Sequence, residues 1–552
     1  MRADCPFGGQ APLLRDDEDA ELVPFSRPVV KIAGGDLPKI IDQADAILAT
    51  ADRELFDFGD QVVRPALEPI TTFHSQKTVG LRLVVVVTIH LVDRMTRVID
   101  FQKFNKKAKR WVSIDCPNAV AAGYLARTGL RRLRPLAAIT TAPVLRRDGT
   151  VLELPGYDLT TRILFDPRGV GFLPVPLEPS KEDARNALDE LKEPFAEFPF
   201  VDDAARSVFL SGMLSVLARP AIKFVPCHAF DAPVAGTGKS KLVDCCAILA
   251  LGHECPVTSQ GDDETELEKR LGAHLLAGDR IIAIDNCDKP LGGQLLCQII
   301  TQSLVQVRIL GLSKRATIPC NTSLFATGNN FQFWGDMLRR GLIGRLDAQT
   351  ERPELRVFKR EDPVELFRRE RARFVVAVLT ILRAYVAAGC PVPEIMDETG
   401  NLVAVQPLGG FEDWSLSVRN ALLWLGEADP LGVIERARTG DPERQTLDGV
   451  LTQWEALISD KRVSVKQVID KATAKYPWTP GSGDPGFMHP EFRTLLLGIA
   501  GSGGGVISST RLGKWLMANK DKPIGDRRLI ADGVLTGLPQ YRLQRQAAFG
   551  WE

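Results

Sequence analysis

An α/β fold class, a parallel three-layer sheet with further domains on either side, is what three stretches of this 552-residue sequence predict. The run Ala235-Gly236-Thr237-Gly238-Lys239-Ser240 opens a helix directly after the apolar stretch 225–230. Residues 280–284 read as a buried strand that ends on Asp285 and Asn286. A third apolar strand, 323–327, ends on Gly328, Asn329 and Asn330. Strands apolar along their whole length belong in a sheet covered on both faces, and helix-like segments alternate with them from about 200 to 360.

Taken in order, residues 1–27 carry the acidic run 16–19 and no signal-peptide core, so a flexible leader is expected. Residues 28–175 alternate β-rich runs (82–89, 97–101, 111–114) with loops and one or two helices, the pattern of an α+β domain. Within it, 101–111 sets five Lys/Arg among Phe101, Phe104 and Trp111. Such a stretch is either a surface facing nucleic acid or a hairpin with solvated lysines at its turn. The cluster Arg127, Arg131, Arg132 and Arg134 carries the same two readings. The proline-rich 167–179 reads as a linker, and helix-forming sequence follows from 181 to 217. The nucleotide-binding domain is expected over 176–361. Residues 362–445 form a helical lid or bundle, with Phe374, Val375, Val378, Ile381 and Leu382 at helical spacing. In 446–552, helices over 464–474, 492–500 and 510–517 precede strands at 528–530 and 541–543, the order of a winged-helix-like domain. Loops are expected over 477–486 and at Gly501, Gly503, Gly504 and Gly505. The last 52 residues hold eight Lys/Arg against four acids, a local basic excess.

Composition narrows the function classes. With 69 basic and 69 acidic residues the net charge is +0, so contact with nucleic acid must come from local patches. The ten cysteines include no C-x-x-C pair and lie in apolar segments, as buried thiols of a reducing cytoplasm do. The six histidines have no metal-ligand spacing, and no apolar run reaches transmembrane length.

The glycine-rich run carries chemistry. Its glycines let backbone N–H groups curl round a β-phosphate, Lys239 brings a point charge to the β/γ-phosphates, and the Ser240 hydroxyl suits Mg²⁺. Gly236, Thr237, Gly238, Lys239, Ser240 and Lys241 are therefore the candidate nucleotide-binding residues. The full pattern asks for glycine at 233, where Pro233 stands, with the cradling amides further along. Asp285, at the end of a Walker B strand, is placed to hold Mg²⁺ through water opposite Ser240. The next residue is Asn286 in place of the usual glutamate, which leaves the base open among Asn286, Asp288, Glu266 and Glu268. Arg339 and Arg340, ahead of Arg345, are candidates for an arginine finger reaching a neighbour's γ-phosphate; the other reading is a helix salt-bridged by Asp336. Two β-rich runs flank 311–315 and form a hairpin with Lys314 and Arg315 at its tip.

In their order and spacing these motifs resemble AAA+ ATPases, and more narrowly the superfamily-3-like replicative helicases of phages, plasmids and integrated elements. The resemblance covers about 200–360. The phrases 145–152 and 155–158 also resemble the region ahead of the ATPase in phage primase-helicases. The family implies that Asn329 is the sensor 1 residue and that the hairpin enters a central pore, where Lys314 and Arg315 grip DNA. It further implies a cytoplasmic, hexameric DNA helicase of a prophage or mobile element, fuelled by ATP and Mg²⁺ on single-stranded or forked DNA, with priming left to a separate primase. Two alternatives stay open: a helicase-loading or remodelling ATPase acting on a protein, and a slow nucleotide-gated DNA-binding switch. Departures from the family are the missing Asn in the loop and Asn286 in place of an acid.

Overall fold

The computed structural model describes residues 27–73, 77–309, 314–396, 401–434, 442–477, 486–502, 504–535, 537–547 and 550–551. The leader up to 26, most of 477–486, Gly503 and the 310–313 turn of the hairpin lie outside the described residues. Two compact units emerge, 1–434 and 435–552.

The first unit is built round a five-stranded parallel sheet: β1 (Cys227–Ala232), β2 (Val257–Ser259), β3 (Ile281–Cys287), β4 (Ser323–Asn329) and β5 (Gly341–Arg345), in the spatial order β2-β3-β4-β1-β5. β4 thus lies between the strand that feeds the glycine loop and the strand that ends in Asp285. Ile281, Ile282, Ala283 and Ile284 are buried, as double coverage demands. Helices Asp203–Ala218, Lys239–Leu251 and Arg371–Ala387 pack into the same core. Lys239–Leu251 stops at Gly252, whose φ of +81° supplies the left-handed residue that a helix terminus favours. Asp263 caps Glu264–Leu276 by accepting the Glu266 N–H at 2.8 Å.

Residues 30–133 hold a separate core around Phe101, Tyr124, Leu91 and Met95. Three helices cover it (Leu37–Ala51, Thr88–Val98, Asn118–Ala126), where the sequence reading expected one or two. The strand expected over 82–89 ends at Val85, and the one expected from 97 begins at Asp100. Leu91, Met95 and Val98 recur at helical spacing there, and burying that stripe outweighs the β-branched run before it.

Phe56, Phe58, Val63 and Leu83, together with the N-terminal strands from Leu136 onward, share the core of the five-stranded sheet. Buried arginines stitch the join. Arg280 donates to Thr140 Oγ1 at 2.7 Å and to the Val216 carbonyl at 2.9 Å, and Arg371 donates to Thr141 Oγ1 at 2.9 Å. Nearer the surface, Arg82 makes a bidentate pair with Asp279, at 2.8 and 2.5 Å. Asp60 accepts the Thr317 N–H at 3.0 Å, midway along the hairpin Leu304–Arg308/Arg315–Pro319.

The second unit packs helices Pro442–Leu457, Val465–Ala472, Pro490–Ala500 and Ser509–Asn519 against the hairpin Arg527–Leu535/Leu538–Ala547, around Trp454, Phe492, Leu512 and Leu529. Much of its basic excess is spent internally: Arg527 pairs with Asp448 and Glu455, Arg542 with Asp532, and Arg545 with Glu455.

Of the ten cysteines, seven are buried, Cys297 is half-buried, Cys390 is exposed and Cys5 lies outside the described residues. Among the described residues no helix is long and apolar enough to cross a membrane.

Candidate functional site

The glycine loop leaves β1 at its C-terminal end and turns through Gly236 (φ +78°) and Gly238 (φ +98°) into helix Lys239–Leu251. Both left-handed residues lie beyond Pro233, so the proline's fixed φ is compatible with the loop. The helix start points its unpaired amides and positive dipole end at the cradle. Side chains on Gly236 and Gly238 would be strained by φ and crowded. A Cβ on Gly236 would lie 3.2 Å from Glu354 Cβ, and one on Gly238 would lie 2.9 Å from Phe198.

Lys239 Nζ donates to Asn329 Oδ1 at 2.8 Å, with the Val234 carbonyl at 3.3 Å. Its ammonium is held below the ordinary lysine range, chiefly by burial, against the attraction of Asp231 and Asp285. Asn329 reaches it because β4 is the neighbour of β1 and Ala232 pairs in register with Asn329. Asp285 accepts the Thr327 hydroxyl at 2.6 Å from the same strand. Asn286 sits on a β-bulge with φ +51°, and its N–H donates to Thr327 Oγ1 at 3.2 Å. The bulge leaves Asn286 exposed at the sheet edge, while Cys287 returns to pair with Gly328.

The donor set fits Mg²⁺ in kind. The Asp285 carboxylate and the Ser240 hydroxyl are hard oxygen ligands. Together with the left-handed Gly236 and Gly238, these are the residue types that a nucleoside triphosphate and its cation require.

The remaining candidates are placed as follows. Lys241 pairs with Asp362 at 2.6 Å. Glu266 is engaged by Arg270 at 3.2 Å and by Lys269 at 3.5 Å, and Glu268 and Asp288 are exposed. Arg339 and Arg340 lie at the opposite edge of the sheet from their own loop: the Arg340 carbonyl accepts the N–H of Cys227, the first residue of β1. About 17 Å of strand separates that edge from the cradle. They leave a 3₁₀ turn, Gly335–Arg339, in place of the α-helix considered from the sequence, and both lie within 3.3 Å of Asp336. Arg339 is exposed, whereas Arg345 is tied to buried Asp231 of its own chain at 2.9 Å. Lys314 and Arg315 are exposed at the described end of the hairpin, where the Ile309 N–H donates to the Lys314 carbonyl at 3.0 Å.

Sequence reasoning passed over four residues of the site: Asp231, Thr327, Phe198 and Glu354. Thr327 stands two residues before Asn329 in the strand already singled out, so strand alternation was a usable signal. The other three are brought in by tertiary contact.

The basic clusters separate. Arg131 pairs with Asp57 at 2.8 Å, Arg127 with Asp42 and Arg132 with Asp45, while Arg134 lies over the rings of Phe56 and Tyr157. Each of the four is thus engaged within its own chain. Lys103, Lys106, Lys107, Lys109 and Arg110 are all exposed on the hairpin Asp100–Asn105/Arg110–Ile114.

No protein-family model and no curated protein matches the chain. Solved structures give matches of low identity. The apo A form of the NrS-1 C-terminal region is 12% identical over 79% of this chain and 91% of that one, with a TM-score of 0.34. The active helicase Cch of SCCmec type IV is 12% identical over 88% and 94%, with a TM-score of 0.29. A JCV helicase bound to a small molecule is 12% identical over 37% and 61%, with a TM-score of 0.20.

Proposed function

We propose that this chain is an ATP-dependent motor on single-stranded DNA: a hexameric, Mg²⁺-requiring replicative helicase of a prophage or mobile element. One observation carries the proposal. Lys239, Asn329, Asp285 and Thr327 converge at one edge of the parallel sheet, while Arg339 and Arg340 stand at the other, away from their own chain's loop, which supports a role for them at a neighbouring copy's nucleotide.

In this reading the loop amides and Lys239 bind and orient the phosphates. Ser240 and Asp285 hold Mg²⁺, which when bound screens the phosphate charge. Asn329 and the Thr327–Asp285 pair fix the polar groups round the γ-phosphate. Asn286, carried into the open by its bulge, orients the attacking water by hydrogen bonding. Arg339 and Arg340 stabilise charge developing on the neighbour's nucleotide. The hairpin with Lys314 and Arg315 passes the motion to one DNA strand, and strand exclusion separates the duplex. Residues 28–175 act as the collar, 176–361 as the motor, 362–445 as the helical lid and 446–552 as a winged-helix-like appendage.

A second reading, a slow nucleotide-gated switch, is favoured by Asn286 alone, because an amide cannot accept the proton of the attacking water as a carboxylate does. Steady-state ATP hydrolysis with and without single-stranded DNA separates the two. The motor requires marked stimulation, and binding with negligible turnover in both conditions supports the switch.

A further inference from the structure

A second surface, far along the chain from the nucleotide loop, has the chemistry of a single-strand binder. The three-stranded sheet Val29–Ile32, Asp100–Asn105 and Arg110–Ile114 turns Val30 and Phe101 into a buried core. Its other face carries Val29, Lys31, Phe104 and Trp111, all exposed. Phe104 and Trp111 are cross-strand partners in register, with ring centroids 5.6 Å apart and planes at 68°. Lys31 Nζ lies 5.0 Å from the Trp111 ring centroid. Two aromatic rings left 45% and 37% exposed side by side are costly to a surface that stays bare.

The charge around them points to one kind of occupant. Lys106, Lys107 and Lys109 are exposed on the turn just beyond the rings, while Lys103 and Arg110 fall on the opposite face by strand alternation, and none of the five has an ion-pair partner among the described residues. Most arginines elsewhere in this unit are paired, as at Arg82, Arg94, Arg131 and Arg146. The tip is also built. Asn105 Oδ1 accepts the N–H groups of Lys107 and Ala108, each at 3.0 Å, and Lys109 takes φ +50° to close the turn. An ordered tip loses little entropy when it binds. Exposed aromatics offer flat faces to unstacked bases, and unpaired lysines offer charge to phosphates.

We propose that the Phe104–Trp111 face, with the lysines of the 105–110 turn, is a second single-stranded nucleic-acid site, separate from the pore hairpin. A base stacks on the Trp111 ring, which moves the flexible Lys31 ammonium onto a phosphate. The turn lysines follow the backbone. Duplex is disfavoured, because its bases are already stacked on each other.

The test uses the full chain and a fluorescein-labelled oligo-dT, read by anisotropy over a range of salt. Phe104→Ala with Trp111→Ala is expected to weaken binding by at least roughly tenfold, the scale of one lost base stack. Replacing Lys106, Lys107 and Lys109 together by Gln is expected to make the log–log salt slope shallower by about 2. Thermal unfolding checks that each variant is folded, and Trp111→Phe, which keeps a ring, should recover most of the affinity. Wild-type affinity and salt slope in both sets of variants would overturn the site. If Lys314→Ala with Arg315→Ala alone abolishes binding, this site fails and the motor reading survives. If the wild-type chain binds no oligo-dT, both fail together.

Discussion

Lys239 stands between Asn329 and the loop carbonyls, with Asp231 and Asp285 as the nearest charges that favour its ammonium. Lys239→Ala should therefore abolish ATP binding, measured with a fluorescent ATP analogue; wild-type affinity in that variant would remove the loop from the mechanism. A pH test belongs to Asp244, which is buried in the helix behind the loop and accepts the Cys255 N–H at 3.0 Å. Burial pushes its carboxyl from 3.8 up to about 7. The folded state then holds this proton more tightly than the unfolded chain does, so Asp244 stabilises the fold at low pH and loses that contribution as pH rises through about 7. Buried His228 acts in the opposite sense. Burial pushes it from 6.5 down to about 3, so its contribution is present above 6.5 and is lost as pH falls toward 3. Urea unfolding from pH 4 to 8 should show Asp244→Asn removing a decline in stability toward pH 7, with the His228 limb left in place. An unchanged profile would mean that Asp244 is ionised throughout. Lys239, Asp285 and Asn329 were legible in the sequence because each closes a short local pattern. Asp231 and Glu354 were not: Asp231 is matched to Arg345 across 114 positions, and Glu354 meets Gly236 only after the chain has folded back.

At the scale of elements, the hairpin and its anchorage are what transmit force in the motor reading. Lys314→Ala with Arg315→Ala should leave ATP binding intact while removing stimulation of hydrolysis by single-stranded DNA; stimulation equal to wild type would refute the pore role. The N-terminal segment holds the middle of that hairpin through Asp60 and holds the turn after helix Glu264–Leu276 through Arg82 and Asp279. Asp279 keeps His274 at 2.6 Å if Arg82 is removed, so Arg82→Ala should cost about 2 kcal/mol, below the full penalty of breaking a buried pair. Denaturant unfolding of Arg82→Ala, Asp279→Ala and the double variant would measure it, and purely additive single costs would show that the pair is not coupled. Both hairpins were legible because β-rich runs flank a polar turn in each. Helix Thr88–Val98 was not, since it follows directly on the unbroken apolar run from Leu83 to Val87 and only the later spacing of Leu91 and Met95 marks the change of period.

For the whole molecule, the decisive geometry is that loop and arginines lie at opposite edges of one sheet. Arg339→Ala with Arg340→Ala should preserve ATP binding and lower turnover by roughly a thousandfold or more, on the scale of a lost arginine finger. Mixing that variant with Lys239→Ala should restore part of the activity, because each supplies what the other lacks at a shared interface. No recovery in mixed assemblies would place the finger elsewhere. The parallel sheet was legible from its uniformly apolar strands. The sharing of one core by segments from Phe56 to Ile434 was not, since it depends on contacts such as those of Arg280 and Arg371 with Thr140 and Thr141 across 140 and 230 positions. The measurement that bears most directly on the motor is steady-state ATP hydrolysis by the full chain with and without single-stranded DNA, with Lys239→Ala as the blank. A motor hydrolyses ATP above that blank and is strongly stimulated by DNA; turnover at the level of the blank, or flat in DNA, would contradict it.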